Sequence, residues 1–305
     1  MTGGWRFGVL QDGPPASPDA PLVMKIGGSL LARPGWPEAV VGLLAATAGP
    51  RVLVVGGGPV VDGLRATTRS DASAAALRAE GVEARGTEHD AAANRWAVRD
   101  ARLVLLGVKP AQITALLAEV GPSLHPEALV VSVAAGITTE AMQAVVPNPV
   151  VRAMPNTPAL IGRGVTGVSG GSRASAAHLA LADDLFRTVG TVVELPEAQI
   201  DALSTISGSG PAYVFLLIEE LTRAAEAMGF EPDVASLLVQ QTFTGAALLL
   251  EATGDEPAEL RRRVTSPKGT TEQAIAVLQD ARLADLFERA ARAAQERARQ
   301  LAAGA

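Results

Sequence analysis

The chain has 305 residues, a net charge of −6, a mean hydropathy of +0.24 and no cysteine. That length allows one large or two ordinary domains with a sizeable core, and an acidic chain without a Lys/Arg run offers no footprint for nucleic acid. Without cysteine there are no disulfides and no thiolate metal sites, and His89, His125 and His178 are too scattered to form a ligand set, so no metal is expected.

No apolar run reaches the roughly 18–20 residues of a membrane span, and residues 1–20 lack the pattern of a signal peptide. The expectation is a cytoplasmic protein with no membrane partner. Residues 1–20, rich in Gly, Pro and Asp, read as a flexible leader. A strand at 22–26 runs into Gly27-Gly28-Ser29, a helix is expected at 37–47, and a strand at 51–55 ends in Gly56, Gly57 and Gly58. Strand, glycine loop and helix start is the arrangement that lets backbone amides approach a phosphate, so these three glycines are candidate cofactor contacts. As a dinucleotide fingerprint the loop is imperfect, because Val61 stands at the third glycine position. A helix at 60–66 would be short for a crossover over a sheet.

Helices are expected at 72–80, 91–98, 111–120 and 174–188, and strands at 82–84, 103–108, 129–133, 150–154, 164–169 and 191–195. This alternation argues an α/β, Rossmann-like doubly wound parallel sheet, whose ligands lie at the carboxyl ends of the strands. The residues where strands stop are then candidate contacts: Val108, Lys109 and Pro110, then Ala134, Ala135 and Gly136, then Asn156. Arg69 and Ser70 follow a possible strand and suit a ribose 2′-phosphate, and no acidic residue takes the place expected for an NAD ribose. The pattern favours NADPH over NADH.

From residue 199 onward only helices are expected, at 200–207, 211–228, 232–252, 257–264 and beyond 271. The chain therefore divides into a leader (1–20), a dinucleotide-binding domain (21–198, atypical at 22–66) and an all-α substrate and dimerisation domain (199–305). Residues 234–250 are apolar on nearly every face, which predicts burial on all sides with a second subunit as cover. The stretch VTSPKGTTEQ (264–273) reads as a helix N-terminus preceded by a hydroxyl-rich turn, with Thr270 and Gln273 as a capping box. Free amides, the helix dipole and the hydroxyls of Ser266, Thr270 and Thr271 suit a small carboxylate. A turn of this composition can equally do no more than join two helices.

Six segments in order resemble pyrroline-5-carboxylate reductase: TTRSD (67–71), Asn94 ahead of VRDARLVLLGVKP (98–110), SVAAGIT (132–138), VRAMPNTPA (151–159), ALSTISGSGPAYVF (202–215) and VTSPKGTT (264–271). The resemblance implies reduction of 1-pyrroline-5-carboxylate to proline by NAD(P)H in a homodimer, with dimers often assembled into decamers. It implies Arg69 and Ser70 at the 2′-phosphate, Asn94 near the adenosine ribose, and Val108, Lys109 and Pro110 along the cofactor. Ala134, Ala135, Gly136 and Asn156 would lie toward the pyrophosphate and nicotinamide, and Ser209 of the SGSGPAY turn beside the reaction centre. Ser266 and the amides of Gly269, Thr270 and Thr271 would bind the substrate carboxylate, with the Thr271 hydroxyl near the imine nitrogen.

Two departures stand out. Lys268 occupies a position where the family usually has glycine, and residues 22–66 resemble the start of an amino-acid kinase instead of the family's own glycine loop. Alternatives kept open are a non-catalytic relic with a defective cofactor loop, a related imine or β-hydroxy-acid reductase, and a phosphotransferase acting through Gly27 to Ser29 and Gly56 to Gly58.

Overall fold

The computed structural model describes residues 52–56, 64–79 and 83–302. The leader at 1–20, the strand at 22–26, the helix at 37–47, and Gly57 and Gly58 lie outside the described residues.

Side chains alternate across a strand, so a strand covered on both faces is apolar throughout. This is nearly the case for β4 (Ala101–Leu106), β5 (Leu129–Ser132) and β6 (Val150–Met154), whose polar residues are Arg102, Ser132 and Arg152. Leu103, Leu105, Leu129, Val131, Val151 and Ala153 share one core with Leu77 of α1 (Asp71–Ala79) and with Leu185 and Phe186 of α5 (Ala176–Arg187). Val104, Leu106, Val130 and Val150 share the other with α2 (Ala93–Val98), α3 (Ile113–Val120) and α4 (Thr139–Gln143), through Val98, Ile113, Leu117 and Met142. Each fully buried leucine in these layers contributes roughly 1.5–3 kcal/mol.

One eight-stranded sheet results, in the order β3-β2-β1-β4-β5-β6-β7-β8. Its remaining strands are β1 (Val52–Gly56), β2 (Leu64–Thr68), β3 (Glu83–Gly86), β7 (Gly164–Gly170) and β8 (Gly190–Glu194). β2 and β3 are parallel, as are β4, β5 and β6, whereas β7 turns antiparallel to β6 and carries β8 with it. The fold is the expected Rossmann-like one.

The expected parallel sheet is corrected at two places, the β6–β7 pair and β1, which runs antiparallel to both β2 and β4. Only residues 57–63 separate β1 from β2. That is fewer than the roughly dozen residues a parallel crossover needs, so the chain can only double back. The helix expected at 60–66 is corrected as well. Leu64–Thr68 is a strand hydrogen-bonded on both sides, where each backbone group finds a partner that a short helix could not provide. α4 and a 3-10 turn at Thr157–Ile161 were not expected.

α6 (Glu197–Leu203) packs against β6 and β7 and continues into a π-turn, Ser204–Gly208. The described residues through Gly208, with 297–302, form one compact unit, and Ser209–Glu296 form the second. α6 and the π-turn thus fall within the first compact unit, against the sheet.

The second unit is all-helical: α7 (Gly210–Ala227), α8 (Pro232–Thr253), α9 (Pro257–Arg263), α10 (Thr270–Asp280) and most of α11 (Leu283–Ala302). Gly229, at φ +95°, terminates the link between α7 and α8 in a conformation that a side chain would strain. Burial of α8 on all sides does not occur within one chain. Only Ala235 and Val239 are buried, while Leu237 is 60% and Leu248 54% exposed. α8 is also long and apolar enough to cross a membrane by length and composition alone. This corrects the expectation that no apolar run reaches such a length: Gln240, Gln241, Thr242 and Thr244 interrupt the run without lowering its mean hydropathy below that of a span.

Candidate active site

In the first unit the register aligns one edge of the sheet. Val52 lies opposite both Thr67 and Leu106, Leu106 opposite Ser132, and Ser132 opposite Arg152. The loops leaving β2, β4, β5 and β6 therefore emerge together. Gly56 lies opposite Ala101, at the other end of β4. The structure thus separates Gly56 from the other expected cofactor contacts, because an antiparallel β1 presents its amino end, and not its glycine end, to the carboxyl edge.

After β2, the exposed Arg69 guanidinium has no partner among the described residues. Ser70 Oγ accepts from the Ser73 backbone N–H at 3.2 Å and so caps α1, which sets a hydroxyl beside Arg69 at a helix N-terminus. Asn94 on α2 is used twice. Its Oδ1 accepts from Thr67 Oγ1 at 2.8 Å and its Nδ2 donates to Glu119 at 3.2 Å, tying β2 to α2 and α3.

After β4, Val108 is half-buried, Lys109 is exposed, and Pro110 opens a 3-10 turn whose Gln112 N–H bonds back to the Lys109 carbonyl at 2.9 Å. The Lys109 ammonium has no partner among the described residues. After β5, the Ala134 N–H donates to buried Ser132 Oγ at 3.2 Å, Ala135 is exposed, and Gly136 takes φ +74°. Only glycine adopts that left-handed turn freely, and it opens the loop to close approach by a flat ligand. After β6, Asn156 Nδ2 donates to the Ser207 carbonyl at 2.9 Å and Oδ1 accepts from the Val165 N–H at 2.8 Å. Both ends of this amide are occupied by the protein itself.

A charged cluster beneath this edge was not anticipated. Arg152 is 1% exposed, donates through Nη2 to Asp201, and lies 3.9 Å from Glu197, while its Nε has no partner. Glu197 in turn accepts from the backbone N–H and the hydroxyl of Thr139, both at 2.6 Å. The signal in the sequence was a lone arginine inside the apolar strand VVRAM.

In the second unit, Ser209 is the N-cap position of α7, and its carbonyl accepts from the Ala212 N–H at 3.0 Å. The capping box expected between Thr270 and Gln273 is absent. Gly269 is the N-cap of α10 and no side-chain cap bond is made. Instead the Gly269 N–H donates to the Ser266 carbonyl at 3.0 Å and the Lys268 N–H to the Glu272 carboxylate at 2.8 Å. The Gly269 amide is thereby consumed in closing the turn. The amides of Thr270 and Thr271, in the first turn of α10, have no acceptor among the described residues, and Thr271 is half-buried. Lys268 itself sits at φ +62°.

α9, which precedes the turn, is braced by charge. Glu259 pairs with Arg262 and Arg263, whose hydrogen bonds draw its carboxyl down from 4.5 to about 2. Arg263 also pairs with Asp255 at 2.7 Å. Among the described residues no group of His, Asp or Glu has the makings of a metal site.

The arrangement fits a 2′-phosphorylated dinucleotide at its adenosine end, where an unpaired guanidinium and a hydroxyl flank a helix start. It fits a small carboxylate at the turn before α10. Comparison with known proteins gives the family. Residues 197–301 match the family described as pyrroline-5-carboxylate reductase dimerisation, and residues 52–136 match NADP oxidoreductase, coenzyme F420-dependent. A pyrroline-5-carboxylate reductase of Pseudomonas aeruginosa is 43% identical over 268 residues, covering 83% of this chain and 97% of that protein. One of Corynebacterium melassecola is 39% identical, covering 87% and 94%. Among solved structures, the pyrroline-5-carboxylate reductase of Coxiella burnetii superposes with a TM-score of 0.70 at 39% identity, over 77% of this chain and 87% of that one. The Plasmodium falciparum pyrroline carboxylate reductase, solved with NADP bound, gives 0.64 at 26% identity over 72% and 82%. A relative 43% identical along almost its entire length, together with a matched dimerisation domain, places this chain in the pyrroline-5-carboxylate reductase family.

Proposed function

We propose that the protein reduces 1-pyrroline-5-carboxylate to L-proline, with NADPH as hydride donor. The observation that carries this reading is the turn from Ser266 to Thr271, whose unaccepted Thr270 and Thr271 amides suit a small carboxylate, in a chain whose relatives are named for that substrate. Binding there orients the ring by its carboxylate, which is catalysis by positioning. Ser266 and the amides of Thr270 and Thr271 hold the carboxylate, Gly269 shapes the turn, and Ser209 lies beside the ring. The bound nicotinamide supplies the hydride to the imine carbon, and a proton reaches the ring nitrogen. No Asp, Glu or His in the motifs is placed as donor, so the substrate enters as the iminium or is protonated through the Thr271 hydroxyl and water.

Arg69 and Ser70 take the 2′-phosphate, which favours NADPH over NADH. Lys109 and Pro110 run along the cofactor, the open backbone at Ala134 to Gly136 lies against its flat part, and Asn94 lies under the adenosine ribose. The exposed leucines of α7 and α8 support assembly as a homodimer, with the decamer as a further step, and the acidic, cysteine-free chain suits the cytoplasm. Purified protein given NADPH and pyrroline-5-carboxylate should lose absorbance at the reduced-nicotinamide band and form proline. NADPH binding without such a loss would end the reading.

A further inference from the structure

Asn156 stands in the loop after β6, where a cofactor contact is expected, yet its side chain is turned inward. Nδ2 donates to the Ser207 carbonyl at 2.9 Å and Oδ1 accepts from the Val165 N–H at 2.8 Å. A neutral amide with one donor edge and one acceptor edge is the side chain that can hold a carbonyl and an N–H at once. Ser207 belongs to the π-turn Ser204–Gly208, a wide helical turn whose i→i+5 pairing is rarely stable unaided and recurs at functional sites. The same turn is fixed from behind. Asp201 and Glu197, on the helix that feeds it, hold buried Arg152, and Glu197 reaches Thr139 just beyond the Ala134–Gly136 loop. Close packing adds to the constraint, since a Cβ at Gly167 would lie 2.7 Å from the Leu203 side chain.

We infer that Asn156 is a positioning residue, which clips the π-turn to the end of β6 and so fixes the Ser207–Gly208 backbone that leads into Ser209, and that its side chain does not bind the cofactor. The inference rests on the proposed reaction, which places that backbone beside the substrate ring.

Two variants separate the roles. Asn156→Ala removes both bonds, whereas Asn156→Asp retains an acceptor for Val165 and lacks the donor for Ser207. In both, amide exchange across residues 207–213 should quicken about tenfold in the free protein, because local opening replaces a held turn. Val165 should stay protected in Asn156→Asp only. NADPH affinity of the free Asn156→Ala protein, read by fluorescence titration, should stay within about twofold, while kcat at saturating NADPH should fall about tenfold or more with a larger isotope effect from 4-deuterated NADPH.

A weakened NADPH affinity with wild-type kcat would overturn the inference in favour of direct cofactor binding. Exchange that quickens evenly over the whole first unit would overturn it in favour of a merely structural role. The exchange arm needs neither cofactor nor substrate. If the wild-type protein binds NADPH but turns over no pyrroline-5-carboxylate, the proposed reaction fails, and unchanged exchange at 207–213 would overturn the clip separately.

Discussion

The Glu272 carboxylate accepts from the Lys268 backbone N–H at 2.8 Å, reaching back across the turn that opens α10. This does for the turn what a side-chain cap would have done for the helix, and it holds Lys268 in its left-handed conformation. Removing the carboxylate in Glu272→Ala leaves that N–H without its acceptor. The expected loss is about 1 kcal/mol of stability, by analogy with a lost cap. Because the turn carries the proposed carboxylate site, KM for pyrroline-5-carboxylate should rise several-fold with kcat much less affected. Urea denaturation and steady-state kinetics measure the two effects.

Lys268 at φ +62° occupies a backbone conformation that costs a side chain roughly 1–2 kcal/mol relative to glycine. Lys268→Gly should therefore raise the unfolding free energy by about 1 kcal/mol, after the entropy gained by the unfolded chain is subtracted, and the denaturation midpoint with it. Denaturant titration of the two proteins decides it, and an unchanged or lowered midpoint would show that the lysine makes a compensating contact.

Arg69 offers an unpaired guanidinium at the end of β2. Charge-assisted hydrogen bonds to a phosphate are worth about 1.5–3 kcal/mol, so Arg69→Ala should weaken NADPH binding roughly 10- to 100-fold and leave NADH binding nearly unchanged. Calorimetric titration with each nucleotide reads the difference.

Arg152 is buried, whereas its partners Glu197 and Asp201 are partly open to water. Deleting Asp201 leaves the buried cation with only Glu197, at 3.9 Å and without a hydrogen bond, but deleting the cation leaves carboxylates that solvent can reach. Asp201→Ala should thus destabilise by about 3 kcal/mol or more, and Arg152→Met by no more than about 1–2 kcal/mol. Equal losses would contradict this asymmetry.

Glu259 carries a carboxyl drawn down from 4.5 to about 2 by hydrogen bonds from Arg262 and Arg263. A lowered folded-state value means that its contribution is complete above pH 4.5 and is lost as the pH falls toward about 2. Glu259→Gln should lower stability along the plateau above pH 4.5, pH 7 included, and so flatten the acid limb of a helicity or stability titration between 4.5 and about 2, with the two proteins converging at the acid end. Because the group is solvent-exposed and salt-screened, the difference should shrink at high ionic strength.

Much of the first unit was legible because buried strands announce themselves. Val150–Met154 falls where the apolar run stands, and β4, β5, β7 and β8 differ from expectation only at their ends. α4 was missed because five residues carry too little helical period to be seen, and its Thr138 cap is the sole local mark. The direction of β1 was half-visible in the shortness of residues 57–63, yet a glycine cluster after a strand outweighed that geometric objection. At the turn before α10 the residue types mark a candidate anion site, but which amides remain free depends on tertiary bonds. Ser266 O takes the Gly269 amide and Glu272 takes that of Lys268, and neither pairing follows from composition. Asn156 is the same lesson in reverse, since a polar residue in a cofactor loop turns its hydrogen-bonding edges toward the protein.

The antiparallel β1 also bears on how the sheet comes apart. Its five residues are the hydrogen-bonded seam between β2–β3 and β4–β8, with Val52 to Val55 bonded to one side and Val52 to Gly56 to the other. Within the sheet β2 and β3 reach β4 only through β1, so the expectation is that β2, β3 and α1 open as one unit ahead of β4 to β6. Arg69 and Ser70 ride on that unit and Gly136 does not. Ligand grasped at both places would knit the seam, and the free protein should exchange its β2 and β3 amides ahead of those in β5.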